Sequence, residues 1–235
     1  MNHILLLFVL FIIYSFIGWT SEIVTCSISR KKLVKHRGFL LGPVIPIYGC
    51  GILIMTEVLK DFINHPVGLY FMCVLTCSIL EYLTSYLMEK LFHARWWDYS
   101  NRFLNINGRV CFKNTALFGI AGILLMYYVH PHVYDFVSNL NNNILHIVAI
   151  TLFILFTIDV TLSLIGIITL KKKAKKISNN KKKKDNTEEV SANIKQALID
   201  DEKYVIRRLM DAYPSFEVIM YDIEKHKINK KRKNK

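Results

Sequence analysis

Residues 4–28 read ILLLFVLFIIYSFIGWTSEIVTCSI, an apolar run interrupted by one carboxylate, Glu22. A helix needs about 20 predominantly apolar residues to cross a hydrocarbon core of about 30 Å, and this run supplies them. It exceeds the h-region of a signal peptide, about 7–15 residues. Only Met1, Asn2 and His3 precede it, so the positive n-region is missing. A retained transmembrane helix is expected.

Moving outward, the pattern recurs at Gly42–Leu59, Val67–Leu91, Val110–Val129 and Ile144–Leu170. The first of these is interrupted by Pro43, Pro46, Gly49 and Gly51. The connections settle the count. Arg30, Lys31, Lys32, Lys35 and Arg37 follow the first run, and the turn at 61–66 carries almost no positive charge. Lys90, Arg95, Arg102 and Arg109 follow the third run, and the loop from His130 to Asn143 has no Lys or Arg. Lys171, Lys172, Lys173, Lys175 and Lys176 follow the last. Rich and poor connections alternate, as the positive-inside rule requires of five spans. Without a crossing at Gly42–Leu59, two rich loops would fall on opposite sides. The expectation is an all-α polytopic membrane protein with five transmembrane helices over residues 1–170. Its N-terminus is outside the cell membrane, and a basic cytoplasmic tail occupies 171–235.

The whole chain agrees. It has 235 residues, a formal net charge of +13 and 52% hydrophobic residues. Charge and hydrophobicity are segregated, as in a membrane domain with a tail. A basic nucleic-acid-binding protein would not carry several runs of bilayer length, so membrane lipid is the expected partner and nucleic acid is not. Five cysteines, an odd number lying mostly in apolar segments, imply no disulfide framework. Cys73 and Cys77 share a helix face without further metal ligands nearby. No cofactor is expected. High Lys, Asn and Ile usage points to an AT-rich bacterial genome.

In the tail, Lys171–Asp185 reads as a solvated lysine run attracted to anionic lipid. From Asn186 to Ala212, Val190, Ile194, Leu198, Val205 and Leu209 recur at near-helical spacing. That helix is read either as lying on the bilayer or on the protein itself, or as docking a partner. Pro214 ends it, and a short amphipathic piece, Phe216–Ile223, follows.

Ionisable residues inside spans cost about 2.5–3.5 kcal/mol at a helix centre, so they need a partner or a wet cavity. Glu22, Glu81 and Asp159 are such residues. Arg37, Arg95 and Arg109 lie in adjoining connections at a depth from which they could reach Glu22 and Glu81. Either the two glutamates face one cytoplasm-facing cavity, or they form plain interhelical salt bridges. Gly38–Gly51 carries Pro43, Pro46 and Gly49, which break or loosen helix. Such backbone at membrane depth lines a cavity or forms a tight packing corner. In Phe92–Ser100, Trp96, Trp97 and Tyr99 suit the headgroup layer, and Asp98 could bond Arg95, Arg102 or Arg109. That loop reads as an interfacial anchor or as a clamp on a headgroup or substrate. The chain has no G-x-x-x-x-G-K-[ST], no H-E-x-x-H and no G-x-S-x-G, hence no ATPase P-loop and no recognised catalytic motif.

Several stretches together resemble a bacterial family called putative ABC-transporter type IV (CmpB-like permeases). They are Tyr14–Trp19 with Glu22, Arg37–Gly49, Glu81–Ser85, Glu89–Phe92, Arg95–Ser100, Asn105–Arg109 and Phe118-Gly119. The resemblance covers about residues 11–131. It implies a multi-pass permease subunit, working with a separate ATPase, and supplies no substrate. Five spans are few for a translocation path, so a homo-oligomer or larger complex is expected. Glu22, Arg37, Glu81, Arg95, Asp98 and Arg109 would line or gate an inner cavity shaped by Pro43, Pro46 and Gly49. One rival is an intramembrane enzyme acting on a lipid or headgroup through Glu22 or Glu81. The other is a non-transporting scaffold or sensor with the tail helix as output.

Overall fold

The computed structural model describes residues 3–34, 36–92, 97–180 and Arg208. Six α-helices follow in order: α1 His3–Arg30, α2 Pro46–Val58, α3 Pro66–Phe92, α4 Phe112–Leu124, α5 His130–Ser138 and α6 Asn142–Asn180. No β-strand occurs among the described residues; Ile106 and Val110 form an isolated bridge. Four pieces are long and apolar enough to cross a membrane: α1, α3 to Leu91, the continuous stretch Phe112–Ser138, and α6 to Thr169. The fifth apolar helix, α2, has only 13 residues.

The short α2 follows from Pro43 and Pro46. Proline lacks an amide donor and disfavours helix in the residue before it, so helix begins only where Pro46 serves as its first residue. The expected helix from Gly42 is therefore corrected to irregular chain followed by a half-length helix. At 1.5 Å per residue α2 is about 20 Å long.

Its depth is fixed by α1. Tyr48 lies against Gly18, and Gly49 lies against Ser15 and Phe11. The Ile45 amide donates to the Ser15 carbonyl at 3.0 Å. Ser15 stands roughly 18 Å along α1 from the His3 end. Thus α2 starts near mid-depth and runs antiparallel to α1 toward the charge-poor end. The non-helical residues between α1 and α2 occupy the Lys/Arg-rich half.

Segment four is longer than the sequence suggests. His130 and Pro131 read as loop, yet the chain stays helical to Ser138. Pro131 cannot donate to the preceding turn, and a π-turn over Leu125–Val129 absorbs the defect. The expected His130–Asn143 loop shrinks to a short turn. At the other end, α6 continues past Lys171 to Asn180. The amphipathic helix expected at Asn186–Ala212 lies outside the described residues, Arg208 excepted, as does the piece at Phe216–Ile223.

The apolar core belongs to the charge-poor half. Leu6, Leu10, Ile52, Leu59, Leu69, Met126, Val137 and Leu145 form one buried cluster. Phe8 and Phe11 of α1 pack edge-on against Phe153 and Phe156 of α6. Tyr14 is buried there, and its hydroxyl bonds His130 Nδ1 at 2.7 Å. Large side chains left outside, such as Ile147, Ile150, Phe153, Ile154 and Ile158 on α6, suit hydrocarbon rather than water.

Candidate functional site

The site is assembled around the irregular chain between α1 and α2. Non-helical backbone at membrane depth must have its amides satisfied. Asp159 of α6 does this. Its Oδ1 accepts from the Leu41 amide at 2.7 Å, and its Oδ2 accepts from the Gly42 amide at 2.9 Å. Ser163, one turn on, donates to Asp159 Oδ1 at 3.2 Å. A Cβ on Gly42 would meet Asp159 Oδ2 at 2.7 Å, so glycine is what lets the carboxylate approach. Gly38, with φ +86°, makes the turn that precedes this contact.

Against the same chain lies a cavity of about 460 Å³. Its polar wall holds Glu22, Arg37, Tyr48, Glu81, Tyr99 and Asn114. Its apolar wall includes Ile52, Leu80, Trp97, Phe118 and Leu125. The residues come from α1, α2, α3, α4 and the connections, so no single element makes the site.

Three sequence candidates meet here. Arg37 pairs with Glu22 Oε2, Nη2 at 2.6 Å and Nε at 2.8 Å. Tyr48 donates to Glu22 Oε1 at 3.1 Å. Both oxygens of Glu22 are therefore engaged. Glu81 is only 6% exposed. Its Oε1 accepts from the Tyr99 hydroxyl at 3.3 Å, and its Oε2 has no partner among the described residues. Burial raises the Tyr99 phenol well above its ordinary range, and the Glu81 carboxylate pushes the same way. Tyr99 thus keeps its proton and remains a donor.

The other candidates sit elsewhere. Arg109 does not reach Glu22 or Glu81; it pairs with Glu89 at 2.8 Å and lies over the rings of Tyr82 and Tyr86. The reason is local. Ile106 and Val110 close a tight turn, with Leu104, Asn107 and Gly108 at positive φ, and this directs Arg109 toward α3. Asp98 is exposed and accepts from the Ser100 amide at 2.9 Å. Pro43 lies in the irregular chain and Pro46 opens α2. Gly49 lies outside the cavity wall: a Cβ there would overlap Ser15 and the Phe11 carbonyl, so Gly49 is a packing contact. Arg95 and Trp96 lie outside the described residues.

The connection after α3 borders the cavity through Trp97 and Tyr99. Trp97 Nε1 donates to the Arg109 carbonyl at 2.8 Å, and the Tyr99 amide donates to the Gly108 carbonyl at 2.8 Å. Asn105 ties the turn by donating to the Ser100 and Arg102 carbonyls at 3.0 and 2.9 Å. The side-chain bonds explain why Trp97 and Asn105 stand at those positions, and a φ of +68° explains Gly108. Among the described residues no group of three or more His, Cys, Asp or Glu could hold a metal ion.

The model of the family described as "Putative ABC-transporter type IV" matches residues 9–164. The chain belongs to this family. The match extends beyond the resemblance at 11–131 and takes in most of α6, including Asp159. For the type IV family member described here, the anchor and the cavity both fall within the family region. No curated protein and no solved structure matches the chain.

Proposed function

We propose that this type IV family member is the membrane subunit of a transport complex driven by a separate ATPase, and that the cavity receives the substrate. One observation carries this reading. A crossing broken at mid-depth ends beside a space of about 460 Å³ lined by opposite charges. Discontinuous helices of this kind build the binding sites of many transporters, and the volume falls within the roughly 300–1,000 Å³ of ligand pockets. With the Lys/Arg-rich end taken as cytoplasmic, the cavity faces the cytoplasm and the N-terminus lies outside. Arg37, Glu22 and Glu81 would be its gating or lining charges. The lipid-facing flank of α6 leaves room for a second copy or another subunit. The enzyme alternative is less well served at Glu22, whose two oxygens are both engaged; it would act through Glu81, whose Oε2 has no partner among the described residues.

Cys26 lines the cavity and gives a native handle. The full-length protein, tagged and purified in mild detergent from its own host, is expected to bring an ATPase with it. A non-hydrolysable ATP analogue is expected to change the rate at which Cys26 reacts with maleimide, with the other cysteines replaced. Absence of any ATPase, together with a labelling rate indifferent to nucleotide, would contradict the proposal.

A further inference from the structure

We propose that the cavity binds an organic ammonium ion carried on an apolar body, with the free oxygen of Glu81 as its counter-ion. This rests on the reading of the cavity as a substrate site and specifies the chemistry of what enters it.

The two cavity carboxylates are used unequally. Glu22 spends one oxygen on Arg37 and the other on Tyr48. Glu81 spends one oxygen on Tyr99 and keeps Oε2 without a partner among the described residues, in a residue that is 6% exposed. A buried acceptor left unmade costs about 1–3 kcal/mol, and more for a charged group. Two described cations of the adjoining connections pair with other carboxylates, Arg37 with Glu22 and Arg109 with Glu89. Glu81 is therefore the carboxylate left over, and it lines the cavity. A ligand with a positive nitrogen supplies both the missing donor and the missing charge. A phosphate or carboxylate ligand would meet repulsion there.

The surrounding side chains fit the same ligand. Tyr48, Trp97, Tyr99 and Phe118 line the space, and aromatic faces attract ammonium groups within about 6 Å. Ile52, Leu80 and Leu125 offer apolar contact to the rest of the molecule. Two sources share this chemistry: a free lipophilic amine, and the headgroup of an aminophospholipid.

The test uses the full-length protein in phosphatidylglycerol nanodiscs, with dansylcadaverine and its N-acetyl derivative as probes. The acetyl group removes the charge and keeps the dansyl body. Signals are referenced to empty discs and to Ala121→Trp, which places a large ring in the cavity wall. The expected result is that wild type binds the amine about tenfold or more tightly than the acetylated probe, a difference of about 1.4 kcal/mol. Glu81→Gln is expected to abolish that preference and leave the acetylated probe unaffected. Equal binding of both probes by wild type overturns the ammonium assignment and leaves the substrate site standing. Failure of both probes to bind, or full binding by Ala121→Trp, overturns both. The wild-type ratio stands without the variant if Glu81→Gln does not fold. Replacing part of the lipid with phosphatidylethanolamine identifies the source: displacement of the amine probe assigns the headgroup, and unchanged binding assigns the free amine.

Discussion

The charge-poor half of the bundle is filled by side chains, whereas the Lys/Arg-rich half is built around a space. In the first, Leu6, Leu10, Leu59, Leu69 and Leu145 are almost wholly buried. In the second, irregular chain precedes the start of α2, and Glu22, Arg37, Tyr48, Glu81 and Tyr99 line the gap. The difference teaches how a short polytopic chain obtains a polar cavity. Two prolines stop a helix halfway, one half-buried aspartate accepts from two of the freed amides, and the volume the missing turns would fill stays open.

The comparison breaks most readily where the half-helix is seated. Gly49→Val would force α1 and α2 apart at Ser15 and Phe11. A cost of about 3 kcal/mol is expected, at the upper end for overpacking, read as a large fall in Tm in detergent. An unchanged Tm would mean that the two helices do not touch there. Next comes the anchor. Asp159→Ala leaves the Gly42 amide without its acceptor and the Leu41 amide with only Ser163 Oγ at 3.2 Å, at about 2 kcal/mol. It should also speed proteolysis between Arg30 and Ile45, and protection equal to wild type would argue against the anchor.

Smaller effects sharpen the contrast rather than break it. Arg37→Met removes a pair whose side chains are 20% and 26% exposed. Solvent screening limits the stability loss to about 1 kcal/mol, while Cys26 labelling should change clearly because the pair lines the cavity. The smallest effect is Tyr99→Phe. The raised phenol keeps its proton when folded, so its contribution is complete below about pH 10, the ordinary tyrosine value. It is lost as pH rises from there toward the folded value. Alkaline unfolding should therefore be less steep in Tyr99→Phe than in wild type, and identical profiles would contradict the buried placement of Tyr99.

Much of the fold could be read in advance. Ile4–Ile28, Val67–Leu91 and Ile144–Leu170 predict α1, α3 and α6 because apolar length alone decides a membrane helix. Alternating charge predicted a crossing at Gly42–Leu59, where the structure has irregular chain and then the short α2. The prolines gave the reason for a break and could not give its depth, which depends on where Ser15 and Asp159 lie. The partners of Asp159 were invisible because they are backbone amides, which leave no mark in residue type. Glu22 with Arg37 was legible as opposite charges at neighbouring depth. Arg109 was not: its direction is set by the turn at Leu104–Gly108, and the positive φ of two non-glycine residues there carries no clear sequence signal. Tyr99 read as an interfacial residue and Tyr48 drew no reading of its own, yet both are hydrogen-bond donors to the two glutamates.

The cavity requires the chain between α1 and α3 to pass from one side of the membrane to the other although its helix is only half-length. Single cysteines at Leu33, Phe62, Asn107 and Asn139, in an otherwise cysteine-free chain in sealed vesicles, measure this with an impermeant maleimide. Leu33 and Asn107 should label from one face, and Phe62 and Asn139 from the opposite face. Labelling of Leu33 and Phe62 from the same face would make the segment a hairpin that enters and leaves on one side, and the half-membrane cavity described above could not exist.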